Sequence, residues 1–122
     1  MTLGIGDRVE VSDGYDMDPK WLAGLAAPPV GTVTKWIPGQ NDAPACVVHL
    51  DEPLTAEGLI RGKRVTVTGT FLALELRYEG QSWEDSGTVY VELCSTEPEG
   101  SAWPDRSIGA WVESNATYTK QR

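Results

Sequence analysis

Apolar and polar residues alternate with a period of two along this chain, and the helical period of 3.6 is nearly absent. In Arg8-Val9-Glu10-Val11-Ser12 the two valines point one way and Arg8 and Glu10 the other, which predicts a strand over residues 8–12. Gly31 to Ile37 repeats the pattern. Ala45 to Leu50 is almost wholly apolar and predicts a strand buried on both faces, with Asp51-Glu52-Pro53 as its stop. Thr55 to Gly62 reads as a connection with room for one helical turn. The strongest signal follows. Lys63 to Thr68 alternates, Gly69 interrupts as a bulge or bend, and Phe71 to Tyr78 resumes with Leu72, Leu74 and Leu76 on one face and Ala73, Glu75 and Arg77 on the other. Gly87 to Cys94 carries Val89, Val91 and Leu93 on one face, and it is expected to form an antiparallel hairpin with the strand before it. Ile108 to Glu113 predicts a last short strand. Ser114 to Arg122 is polar enough to read as a frayed tail.

The segments between these runs carry turn chemistry. Thirteen glycines and eight prolines punctuate the chain at the spacing of an all-β fold. Pro38 to Asp42 is a turn, and Ser95 to Pro104 is a loop. The long loop Asp13 to Pro29 has room for a helical turn over Pro19 to Leu25, with Asp18 as its N-cap. The expected architecture is all-β: one small, partly open SH3-like barrel of about five or six mostly antiparallel strands with long loops. It occupies residues 1–113, with 114–122 as the polar C-terminal tail.

Charge narrows the choice of partner. The chain has 122 residues and a formal net charge of -8. Nucleic acid and anionic membrane surfaces both need Lys and Arg to neutralise phosphate, so neither is expected as a partner. A basic protein fits the balance, as does simple solubility. There is no apolar run of transmembrane length, and Met1 to Gly6 has neither the basic region nor the apolar core of a secretory signal, so a cytoplasmic location is expected. Cys46 and Cys94 lie in apolar strand-like runs. They are expected to be free buried thiols, with a disulfide between them as the alternative.

Catalytic chemistry has little to draw on. His49 is the single histidine. The Cys46-Val47-Val48-His49 spacing resembles a zinc word, but strand positions three apart face opposite ways, and a structural zinc site takes four ligands. No nucleophile elbow, phosphate-binding loop or dinucleotide fingerprint occurs. Asp13, Asp16 and Asp18 do not follow calcium-loop spacing, so they read as turn and capping residues. Arg61-Gly62-Lys63-Arg64 reads as the solvated start of a strand. No cofactor, no metal and no enzymatic activity are expected.

Five tryptophans are unusual for this length. Trp36 falls in a strand and is expected in the core, while Trp111 is expected to pin the last strand. Trp21, Trp83 and Trp103 fall in loops, with Tyr15 near Trp21. Loop aromatics either cap a barrel end or supply contact energy at an interface. The candidate binding set is Tyr15, Asp16, Asp18, Trp21, Trp83 and Trp103. It would engage a protein partner or a second copy of the chain, the alternative being a small cationic or aromatic molecule at the barrel mouth.

Several words in order, Gly6-Asp7-Arg8-Val9-x-Val11, Pro19-x-Trp21-Leu22-x-Gly24, Gly31-x-Val33, Leu74-Glu75-Leu76, Val89-x-Val91-Glu92-Leu93 and Glu97-Pro98, resemble the C-terminal SH3-like domain of the nitrile hydratase β-subunit family. The resemblance spans residues 6–98 and implies the barrel fold. That family carries a His-Thr-Arg word whose arginine reaches toward the metal site. Tyr15-Asp16-Met17 stands there in this chain, so the resemblance implies the scaffold without the hydratase chemistry, as in an accessory or interaction protein.

Overall fold

The computed structural model describes residues 3–13, 26–38, 44–60, 62–76, 83, 88–99 and 111–121. The fold is all-β, with no helix among the described residues. Six strands follow one another, β1 (Arg8–Asp13), β2 (Val30–Pro38), β3 (Pro44–Ile60), β4 (Lys63–Glu75), β5 (Thr88–Cys94) and β6 (Trp111–Gln121). Each pairs antiparallel with the next, and β6 pairs back onto β1, so the ladder runs round as a barrel. Its thin place is the β1–β2 seam, held by Arg8↔Thr32, Val9↔Gly31 and Glu10↔Val30.

Period-two alternation builds the interior. Val9, Val11, Val33, Cys46, Val48, Leu50, Leu72, Leu74, Val89, Val91, Leu93 and Tyr118 form one buried cluster, joined by Leu3 from the turn before β1. Gly6 holds that turn with φ 94°, a conformation that favours glycine. The Gly6 N–H donates to the Val33 carbonyl at 2.8 Å, and the Asp7 carboxylate accepts the Gly4 N–H at 2.7 Å. Ala45 to Val48 are all buried, so the first part of β3 is covered on both faces.

Two irregularities decide which side chains face inward. In β2 the register shifts between Val33 and Lys35. One extra residue reverses the alternation beyond it. Trp36 therefore packs against the interior cluster, and Ile37 joins Ala45, Val47 and Phe71 in a small outer cluster. In β3 the register passes from His49↔Phe71 to Leu54↔Gly69, so Leu50 to Pro53 stand opposite Thr70 alone. Asp51-Glu52-Pro53 does not end the strand as expected but forms its bulge, a place where the missing proline N–H breaks no ladder bond. The bend expected at Gly69 thus lies across from it, on β3.

Beyond the bulge, residues 54–60 are strand and not the expected connection. They pair with 63–69 in a hairpin, and Gly62 in its turn has φ 77°. Ala56 and Val67 turn inward, while Thr55, Glu57, Thr66 and Thr68 face solvent. The Thr55 and Thr68 hydroxyls meet at 2.8 Å, and Arg64 approaches Glu57 at 3.4 Å. Residues 114–121, expected to fray, form most of β6. They pair with β1 from Arg8↔Gln121 to Asp13↔Ala116, and with β5 from Thr88↔Thr117 to Val91↔Ser114.

Candidate functional site

Trp83 lies between β4 and β5 and is half-buried over one end of the interior. Its ring meets Trp36 edge-on with centroids 5.1 Å apart and leans on Tyr118 at 5.6 Å. The Tyr118 hydroxyl donates to the Trp83 carbonyl at 2.9 Å, and burial pushes its pKa upward. The indole Nε1 is buried without a hydrogen-bond acceptor among the described residues. Of the six candidate binding residues, Trp83 alone is described, and it is placed inward as a cap. Tyr15, Asp16, Asp18, Trp21 and Trp103 lie outside the described residues, as do the helical turn expected over 19–25 and the Pro38 to Asp42 turn beyond Pro38.

The outer surface carries paired charges. Arg8 grips Asp51 with both terminal nitrogens, and its Nη1 also donates to the Thr32 hydroxyl at 2.8 Å. This guanidinium holds the Asp51 carboxyl below the usual carboxylate range. Asp7 is lowered too, first by the Gly4 N–H and then by Lys120, whose Nζ lies 3.0 Å away. Lys35 meets Glu97 at 3.5 Å. His49 is exposed and stacks on Phe71 with centroids 4.9 Å apart.

Two fully buried carboxylates were not legible in the sequence. Glu75 and Glu92 face outward from β4 and β5, one register step apart through Ala73↔Glu92 and Glu75↔Tyr90, yet neither is solvent-exposed. Alternation assigns such positions to solvent. The unbroken run Val91-Glu92-Leu93-Cys94 is the one hint that this strand is covered on both sides.

Cys46 and Cys94 are free and buried. Burial, helped by the charge of Asp7, pushes the Cys46 pKa up from 9.0 to about 12, and burial beside Glu92 raises that of Cys94. The folded state keeps a Cys46 proton that the unfolded chain releases. This contribution is fully present below pH 9 and is lost as the pH climbs to about 12. Unfolding titrations should therefore record a loss across that window that is smaller in Cys46→Ala by roughly 4 kcal/mol, the buried Cys94 adding a loss of its own in both proteins. At pH 8 both thiols should resist a thiol reagent in the native protein and react promptly in denaturant.

A groove of about 270 Å³ lies where the segment entering β2 faces the β3 bulge, lined by Ala27, Pro28, Pro29 and Val30 on one side and Asp51, Glu52, Pro53 and Leu54 on the other. Gly31 presses β2 against β3 beside it, since a Cβ there would lie 2.5 Å from the His49 carbonyl oxygen. The bulge then carries β3 away and leaves the space. Pro29 is fixed by its carbonyl, which accepts the Val11 N–H at 3.0 Å. The sequence marked neither wall, because both lie in stretches read as a loop end and a strand stop.

Among the described residues, no group of three or more His, Cys, Asp and Glu side chains is placed to hold a metal, and no helix is long and apolar enough to cross a membrane. No protein family, curated protein or solved structure matches the chain.

Proposed function

We propose that this protein is a non-enzymatic binding module that engages a positively charged protein partner through its acidic outer surface. The observation that carries this reading is the distribution of charge. Arg8, Lys35, Arg64 and Lys120 are each already matched by a carboxylate of the same chain, at Asp51, Glu97, Glu57 and Asp7. With the net charge at -8, the remaining surface presents acid in excess. Complementary charge of this kind steers association and selects partners more than it sets affinity. The inward placement of Trp83 favours the outer surface over the barrel mouth as the contact face. The resemblance to the C-terminal SH3-like domain of the nitrile hydratase β-subunit family, without its His-Thr-Arg word, supports a role without chemistry of its own.

The test is affinity capture from the native host at low ionic strength, with elution by salt. A stoichiometric basic partner, retained at about 50 mM salt and released by about 500 mM, is the expected result, since screening over a few ångströms removes surface attraction. Recovery of no stoichiometric partner, with the protein itself a monodisperse monomer, would overturn the reading.

A further inference from the structure

The groove between residues 27–30 and the β3 bulge combines three features that select one kind of occupant. Its walls are stiff, because Pro28, Pro29 and Pro53 have fixed φ angles and Pro29 is buried and tied to β1. A preformed wall loses little entropy when something binds. Its surface is largely hydrocarbon, with proline rings, Ala27, Val30 and Leu54. It carries two carboxylates, but Arg8 occupies Asp51 from outside the groove. Glu52 has no cation or hydrogen-bond partner among the described residues. One carboxylate without a partner among the described residues therefore stands beside apolar walls.

We infer that this groove receives an arginine side chain of the protein partner, with the guanidinium on the Glu52 carboxylate and its alkyl stem along the proline rings. The inference rests on the binding-module reading above and names its contact point. Arginine suits the site better than lysine. Its planar head is weakly hydrated, lies flat on apolar surface and pairs with a carboxylate through two parallel N–H donors, whereas an ammonium must shed a tighter water shell. The volume of the groove accommodates one such side chain rather than a folded element. Among the described residues, Arg8 shows the two-nitrogen grip on a carboxylate that such pairing needs.

The experiment is a titration of the isotope-labelled full chain, followed through backbone amide resonances. The probes are a capped Gly-Arg-Gly peptide, its lysine counterpart and its citrulline counterpart, a neutral isostere of arginine. The expected result is saturable shifts concentrated at Val30, Asp51, Glu52 and Leu54 with the arginine peptide, weaker binding of lysine, and none with citrulline. Glu52→Gln should weaken arginine binding about fivefold, the scale of one partly exposed ion pair. Glu99→Gln removes the same charge from an exposed position elsewhere and should leave binding unchanged. The inference is overturned if citrulline or lysine binds as well as arginine, if Glu52→Gln matches the parent protein, or if Glu99→Gln weakens binding equally. Shifts confined to other acidic surface would overturn the groove while supporting the acidic-surface reading. Silence at every resonance, with a salt-sensitive partner still captured from the host, would likewise sink the groove alone.

Discussion

A chain that stops after Glu113 should fail to fold. The truncation removes all of β6 that pairs with β1, from Ala116 to Gln121, and with it the seam that turns the sheet into a barrel. It takes Tyr118 from the core, the Lys120–Asp7 ion pair, and the Gln121 amide that donates to Glu10 at 3.0 Å. It also strips Thr88 to Val91 on β5 of their partners on β6. Loss of a buried tyrosine and of ladder bonds on two seams together exceeds the roughly 5–15 kcal/mol that holds a domain of this size. Circular dichroism should find no cooperative thermal transition, and amide resonances should collapse to poor dispersion. A cooperative melt within a few degrees of the full chain would refute the assignment of residues 114–121 to the barrel wall.

Gly69→Ala is the single substitution expected to cost most. A Cβ at this position would lie 2.0 Å from the Cys94 carbonyl oxygen and 2.7 Å from its carbon, with the Ser95 nitrogen at 3.1 Å. The obstruction is backbone at the end of β5, so no side chain can rotate away. Relief requires β4 and β5 to separate where Phe71↔Cys94 begins their ladder. A cost of at least about 3 kcal/mol follows, at the severe end for point substitutions. Urea unfolding should register it as a lower midpoint with little change in slope. Gly62→Ala provides the contrast. Nothing lies within 4 Å of its Cβ position, and its φ of 77° alone disfavours alanine, so about 1 kcal/mol is expected. Equal costs at the two glycines would contradict the close approach at Gly69.

The strands whose inward residues are large and aliphatic were legible from the chain. Val9 and Val11, Leu72 and Leu74, and Val89, Val91 and Leu93 join the interior cluster as their alternation predicts. The stretches that misled have weak inward faces. In β6 Tyr118 is the one described inward residue of the segment read as a tail, so its strand character comes from pairing on both sides and not from pattern. In residues 54–60 the one fully buried side chain described is Ala56, too small to outweigh a helix-like composition. The β2 bulge is silent in sequence, although it decides that Trp36 and not Lys35 meets the interior. The groove was hidden for a different reason. Its walls come from residues about 25 positions apart, and neither wall has a motif. Glu75 and Glu92 escaped because a period-two reading gives their side of the sheet to water.

The closing seam has a further consequence. Five of the six joints link strands that are neighbours in the chain, whereas the sixth brings together Glu10 and Gln121, 111 positions apart. Hairpins can zip up early and locally, but the clasp between the first and last strands must wait for nearly the whole chain, since distant loop closure is slow. Until it shuts, β1 and β6 each offer a row of bare N–H and C=O groups to any other extended polypeptide. Self-association of this protein is thus expected to be governed by one latch, and conditions that loosen β1 from β6 should promote aggregation before the interior itself comes apart.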